Sequence, residues 1–377
     1  MPLTNLHDML AHAGDSGYAL GSFELRSLEF LDGVLSAAEL AQSPVILGIN
    51  PAVPDFLPLL VAAHASAGRA RVPVALHLEA ASSLEEAVAA IRHGCNGFTL
   101  NTLHLPAPEH TELTTAAAAL SRDTGVPAAG TWHATVDDHN LLADNVMAAE
   151  AFARKTGVAF LHLKRPHAHG PRANDRDFIA LVQQCGVMGL TLAVDEECAE
   201  APALAELIRG GVAKIHCNAA LTNAALQRYS DVSRSARYDY DMFSQRLRQA
   251  IADVAAPRLA AWGSQGKAGE ALQACRLHRE VEHLIIYNVE AAAGEARAQE
   301  MMAAGRQVLG AIPGVRRVFT GQSVDPDARY RYCWLVRFTD QAVIDSYRDH
   351  PDHQHFADTL FRPVAGDRIS IDFENTE

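Results

Sequence analysis

With 377 residues, 49% of them hydrophobic and 20% charged, the chain has enough apolar material for a full core and is too long for one small α+β domain. A (β/α)8 barrel takes roughly 250 residues, which leaves room for a small module. The formal net charge of −13, without any basic stretch, argues against a nucleic-acid partner and against an anionic membrane surface.

Short apolar runs alternate with Ala- and Leu-rich stretches up to about residue 225. The runs Tyr18–Glu24, Pro44–Asn50, Val72–Glu79, Gly97–Asn101, Val126–Thr131, Val158–Lys164, Leu190–Asp195 and Val212–Asn218 are predicted strands. Between them lie predicted helices at Leu25–Leu40, Asp55–Gly68, Ser82–His93, Glu109–Thr124, Asn140–Thr156, Asp175–Gly186 and Ala201–Gly210. Such alternation implies a parallel sheet with right-handed crossovers, and eight units favour a closed TIM (β/α)8 barrel. A long helical region follows to about residue 280.

The pattern then changes. Glu282–Glu290 reads as strand, Ala291–Leu309 as helix, Val315–Thr320 and Tyr330–Phe338 as strands. Asp340–Arg348 is helical, His355–Phe361 follows, and Arg368–Phe373 is a last strand. Two βαβ halves of this size suggest a ferredoxin-like α+β domain. The expected boundaries are therefore 1–280 for the barrel and 281–377 for the module.

The N-terminus lacks a basic segment followed by an apolar run, and no apolar stretch approaches the ~20 residues of a membrane span. Six scattered cysteines without a C-x-x-C pair read as reduced thiols. The expectation is a cytoplasmic chain acting on a small-molecule substrate.

Alternation also fixes the barrel's inward face, because helix-covered strands turn apolar residues outward. With Val74, Leu76 and Leu78 outward, His77 and Glu79 point in; by the same argument so do His162 and Lys164, and Lys214, His216 and Asn218. Asp195 tops the seventh strand, Asn101 the fourth and Glu24 the first. One layer then holds His77, His162 and His216, and the next Glu79, Lys164, Asp195 and Asn218. These positions converge on the C-terminal mouth, where barrel enzymes carry their chemistry. Buried charge is costly without partners, so the layers are either a remodelled active site or a satisfied network with Lys164 neutralised by Glu79 or Asp195. Lys164 offers a Schiff-base nucleophile if desolvated, or a charged clamp for a carboxylate or enolate if carboxylates flank it. His77, His162, His216 and Glu79 also suit a zinc or iron ion in principle.

Gly17-Tyr18-Ala19-Leu20-Gly21-Ser22-Phe23, Ser43-Pro44-Val45-Ile46-Leu47, Val72-Pro73-Val74-Ala75-Leu76-His77-Leu78, His104-Leu105-Pro106, His169-Gly170, Gly211-Val212-Ala213-Lys214-Ile215 and Gly263-Ser264-Gln265-Gly266-Lys267-Ala268 come in a recognisable order. Through them the barrel resembles class II fructose-bisphosphate and tagatose-bisphosphate aldolases. The departures are as informative. That family ends its third strand His-x-Asp-His, with a catalytic Asp and a zinc-binding second His; here stand Glu79 and Ala80. The resemblance implies that Glu79 takes the acid/base role, that His169 keeps a zinc position, and that Val194 replaces another zinc His. The family's glycine-rich phosphate loop becomes Asp195-Glu196-Glu197-Cys198, and its second phosphate motif becomes His216-Cys217-Asn218-Ala219-Ala220. The family-type zinc site is largely lost, and acidic groups repel a phosphate. The expected activity is an aldolase-like lyase on a substrate without two phosphates. Glu79, Lys164, His216, Asp195 and His77 would be catalytic; Glu24, Asn101, His162 and Asn218 would bind substrate. A metal on His169 and His77 stays open. The alternative is a non-catalytic ligand-binding barrel with an oligomerising C-terminal domain.

Ile312-Pro313-Gly314-Val315, Tyr347, His350-Pro351-Asp352-His353 and Ile371-Asp372-Phe373 carry a second resemblance, to the stress-responsive dimeric α/β-barrel family. It implies a homo-oligomer, at least a dimer. In an aldol-type cyclase of that family the Tyr and second His act as acid and base, roles that would fall on Tyr347 and His353.

Overall fold

Eight parallel strands close on one another in chain order, each paired with the next and β8 with β1. They are β1 (Leu20–Leu25), β2 (Val45–Ile49), β3 (Val74–Ala81), β4 (Gly97–Leu100), β5 (Ala128–His133), β6 (Phe160–Lys164), β7 (Leu192–Asp195) and β8 (Val212–Cys217). This computed structural model describes residues 3–54, 56–133, 142–165, 175–233 and 239–375. The predicted strands are present with ends shifted by one or two residues. The outer helices are α2 (Leu28–Leu40), α3 (Phe56–Ala67), α4 (Leu84–Arg92), α5 (Ala107–Thr124), α6 (Leu142–Thr156), α7 (Asp175–Val187) and α8 (Ala201–Arg209). The long helical region resolves into α9 (Ala219–Ser233), α10 (Tyr240–Ala261) and α11 (Ala268–Ala274). No described helix is long and apolar enough to cross a membrane.

The sequence reading omitted α1 (Leu6–Asp15). Its signal was present: the Asn5 side chain accepts from the Asp8 N–H at 3.1 Å, an N-cap that satisfies one orphan donor. The buried face of Leu6, Met9, Leu10 and Ala13 packs on Leu20, Ile46, Ala75, Ala129, Phe160 and Ala193. This apolar plug closes the end of the barrel opposite the polar layers. Gly97 on β4 makes it possible, since a Cβ there would lie 2.2 Å from Leu6 Cδ2 and 2.9 Å from His77 Cδ2.

The C-terminal segment forms β9 (Val281–Val289), α12 (Gly294–Ala311), β10 (Val315–Gln322), β11 (Tyr332–Phe338), α13 (Val343–Asp349), α14 (Pro351–Phe356) and β12 (Ala365–Glu374). The sheet order is β10-β11-β9-β12 with antiparallel neighbours, the ferredoxin-like arrangement. On the helical face Tyr287, Trp334, Val336 and Phe338 bury against Met301, Met302, Leu309 and Phe356. Register puts Phe319, Leu335, Leu284 and Ile371 in one row on the other face. The chain divides into two compact units, Met1–Ala87 with Cys95–Ala118 and Pro127–Leu277, and Val88–Gly94 with Ala119–Val126 and His278–Glu377.

Candidate active site

Two linked clusters occupy the barrel's upper interior. In the first, Glu79 on β3 is the hub. Its Oε1 lies 2.7 Å from Lys214 Nζ, 2.9 Å from His77 Nδ1, 3.0 Å from Ser22 Oγ and 3.3 Å from His216 Nδ1. Lys214 Nζ is also 3.0 Å from His77 Nδ1, and Thr99 Oγ1 is 3.3 Å from His77 Nε2. On its other side His216 Nε2 lies 3.3 Å from Glu24 Oε2. Glu24 is held by Arg26 at 2.8 Å and accepts from Asn50 Nδ2 at 3.2 Å. Strand register explains the meeting, because Ser22 pairs with His216 across β1 and β8, and His216 with Asp195 across β8 and β7.

In the second cluster, Lys164 Nζ donates to both oxygens of Asp195, at 2.7 and 2.9 Å. His162 Nε2 lies 3.1 Å from Asp195 Oδ1 but out of line for a hydrogen bond. The His162 and His216 rings stand 6.4 Å apart and join the two clusters. Side-chain exposure falls with depth: Lys164 32%, Asp195 23%, His216 10%, Glu79 7%, Lys214 0%. Lys164 and Asp195 are thus the solvent-facing members of the clusters and Glu79 and Lys214 the buried ones.

In place of the two expected layers, the structure brings together Glu79, His77, His216 and Glu24, and separately Lys164, Asp195 and His162. Of the two partners the sequence offered Lys164, Glu79 or Asp195, the structure takes Asp195, and the cation of Glu79 is Lys214. The sequence placed Lys214 inward but gave it no role, because alternation fixes a residue's face and not its height. Ser22, Thr99, Arg26 and Asn50 were missed; as small or loop-end polar residues they carry no periodic signal. Asn218 sits at the rim, accepting from Arg26 at 3.2 Å and Thr222 at 3.0 Å. Asn101 stands exposed past the end of β4, and no ion pair or hydrogen bond among the described residues joins its side chain to the clusters. His169 lies outside the described residues.

Electrostatics sort the groups. Burial lowers the His77 and His162 pKa values to about 4 each, against Glu79 and Asp195 pulling the other way, so both imidazoles are neutral. Burial also opposes charge on His216, but Glu79 and Glu24 outweigh it and raise its pKa to about 9. Burial would raise Glu79 and Asp195, yet their imidazole and ammonium neighbours, His77, Lys214 and His216 around Glu79 and His162 and Lys164 beside Asp195, hold both well below the usual carboxylate range. Lys214 is lowered by burial, with Glu79 opposing.

These shifts predict an acid-labile fold. His77 and His162 have folded pKa values depressed from 6.5 to about 4, so the unfolded chain binds more protons in that interval. Their contribution is present above pH 6.5 and is lost as pH falls to about 4, by on the order of 2–3 kcal/mol per imidazole. The carboxylates extend the loss below that. Melting temperature should fall steadily from pH 7 to 4, and His162→Asn should flatten part of the slope. A melting temperature independent of pH over this range would contradict the assignment.

A family-type zinc does not fit the described donors. Ala80 stands at the third-strand ligand position, in a left-handed conformation of φ 55° beside a bulge between Leu78 and Ala81. The three imidazoles are divided, His162 facing Asp195 while His77 and His216 face Glu79. Among the described residues no three His, Cys, Asp or Glu side chains are arranged to hold a metal.

At the rim, β7 ends in Asp195 and a single 3-10 turn follows over Glu196–Cys198. Glu196 pairs with Arg258 at 2.6 Å, and Glu197 Oε1 accepts from the Ala219 N–H at the start of α9, at 3.2 Å. In the module, the Tyr347 and His353 rings lie 4.3 Å apart. His283, which the sequence reading did not single out, is 6.3 Å from the Tyr347 ring and bonded to Asp372 at 2.6 Å. Burial raises the Tyr347 pKa and lowers that of His353.

Comparison with known proteins agrees with this geometry in part. The profile of the family described as Fructose-bisphosphate aldolase class-II matches residues 4–267, and that of the Stress responsive A/B Barrel Domain matches residues 281–375. A probable fructose-bisphosphate aldolase of Bacillus subtilis is 28% identical over 287 residues, 71% of this chain and 100% of that protein. A fructose-bisphosphate aldolase of Staphylococcus epidermidis is 30% identical over 185 residues, 45% of this chain and 64% of that protein. Among solved structures, the YdjI aldolase from Escherichia coli K12 superposes with a TM-score of 0.62 at 22% identity, covering 71% of this chain and 99% of that one. The structural likeness speaks for the fold alone.

Proposed function

From the premise that this chain belongs to the class-II fructose-bisphosphate aldolase family, with a stress-responsive A/B barrel domain after its barrel, we propose a carbon–carbon lyase, or an enolate-forming proton-transfer enzyme, acting on a small carbonyl compound without two phosphates. The observation that carries the reading is His216, set between the carboxylates of Glu79 and Glu24, which raise its pKa to about 9, beneath the more exposed Lys164 and Asp195. Enolate chemistry needs a proton donor and acceptor beside the carbonyl and a fixed positive charge for the developing oxyanion. Glu79 and His216 supply the first as a coupled pair. Glu79 alone is a poor base, because Lys214 and Ser22 donate to Oε1 while the His77 and His216 rings crowd the same oxygen, so the exchangeable proton is assigned to His216. Lys164, oriented by Asp195, supplies the second. His77 steadies Glu79 and Lys214, while His162, Glu24, Asn218 and Asn101 are proposed substrate contacts or supports.

Glu197 favours the non-bisphosphate substrate. A helix N-terminus attracts anions, and at α9 the protein's own carboxylate already takes the Ala219 N–H. Glu197 is exposed, so Glu197→Ser should fold normally and gain inorganic phosphate binding, seen as a rise in melting temperature absent from the wild type. Wild-type chain stabilised equally by phosphate would contradict this.

The function is tested in D2O with hydroxyacetone, dihydroxyacetone and pyruvate as probes, following deuterium uptake beside the carbonyl by NMR. Exchange above the blank that disappears in His216→Asn supports the reading. Rapid cleavage of fructose 1,6-bisphosphate by the wild type would sink the phosphate argument. The pairing of each charged side chain in the two clusters favours, as a second reading, a ligand-binding barrel without chemistry; failure of all three probes to exchange would select it.

A further inference from the structure

We propose that the Lys214 ammonium is the fixed cation of this barrel, and that His77 and Glu79 are committed to it instead of to a divalent metal. The proposal is independent of which reaction, if any, the mouth performs. Lys214 is fully buried, and a charge at that depth without partners is strongly unfavourable. Its Nζ finds Glu79 Oε1 at 2.7 Å and His77 Nδ1 at 3.0 Å, and it lies 5.8 Å from the centre of the Phe160 ring. Glu79 Oε1 also accepts from Ser22 and lies 3.3 Å from His216 Nδ1.

A zinc-like ion bound through His77 Nδ1 and Glu79 Oε1 would sit within about 2.0–2.2 Å of the two atoms that already face the ammonium. Two cations would then share one oxygen, and one of them would have to leave. His216 does not repair the donor set, since both of its ring nitrogens face carboxylates, Nε2 at 3.3 Å from Glu24 Oε2 and Nδ1 at 3.3 Å from Glu79 Oε1. Ala80 removes the strand-end ligand. The arrangement therefore holds one monovalent organic cation, built into β8, between β3 and β1.

The test uses the full chain, dialysed against a chelator and titrated with Co2+, with visible d–d absorption and metal analysis as readouts. Alongside it, Glu79→Gln, Lys214→Met and the double variant are melted. The expected result is no cobalt spectrum that depends on His77. Each single variant should lose more than about 5 °C, because it leaves a buried charge or a buried donor unpaired, while the double variant recovers most of that loss. One equivalent of Co2+ whose bands vanish in His77→Asn would overturn the proposal. So would single losses that simply add in the double variant, since a Glu79 bound to metal has no special coupling to Lys214. If a single variant fails to fold, recovery in the double variant still supports the pair, and the cobalt titration of the wild type decides by itself.

Discussion

Glu79→Gln should lower kcat/KM on the chain's substrate by about 100-fold or more. General acid–base groups contribute about 10²–10⁴, and this carboxylate underlies the charge on His216. With Glu79 neutral, the His216 pKa falls from about 9 back toward the ordinary imidazole range, so the proton is lost at working pH. The pH profile should show it: the limb near pH 9 moves to lower pH in Glu79→Gln. His216→Asn should lose a similar factor, and the two changes together should cost little more than one, because the pair acts as a unit. Stability could confound the measurement, since the glutamine leaves Lys214 with an unpaired charge. The Glu79→Gln, Lys214→Met double variant separates the effects: melting temperature returns while turnover does not. Full turnover in Glu79→Gln would end the acid/base assignment.

The strands were legible because helix-covered parallel strands are short apolar runs, and because polar residues interrupt those runs only on the inward face. His77, Glu79, His162, Lys164 and His216 stood out for that reason. What remained hidden is height. In a closed barrel the strands are staggered, so Lys214, two residues below His216 on the same face, arrives opposite Glu79 and His77, whereas Lys164 rises to the rim and meets Asp195. No count along a single strand contains that stagger. Asn101 stands apart from the two clusters for a simpler reason: β4 ends at Leu100, one residue short of the predicted strand. The helix α1 was passed over because the strand–helix template begins with a strand, although Asn5 and the Leu6, Met9, Leu10, Ala13 stripe mark a capped amphipathic helix.

Charge placed on the open face of the C-terminal sheet should dissociate the chain into monomers. Cross-strand neighbours on that face are Phe319 with Leu335, Leu335 with Leu284, Leu284 with Ile371, and Ile286 with Ile369. Phe319, Ile371 and Phe373 are each about half exposed, at 45%, 46% and 48%. An antiparallel sheet tolerates one solvated face, but that face is normally polar. A contiguous row of Phe, Leu and Ile is an interaction surface, and a twofold copy of the same face is the simplest self-complementary cover. We therefore propose at least a dimer with the module at its interface. Ile371→Lys with Phe373→Lys puts two charges into the patch without touching the helical core, where Tyr287 and Trp334 are packed. The expected outcome is a halved solution mass by light scattering with an unchanged circular dichroism spectrum. Removal of residues 281–377 is the companion measurement, because it tests whether the barrel self-associates without the module. If the lysine variant and the truncated barrel both keep the wild-type number of subunits, the interface lies elsewhere and the assignment of this face fails.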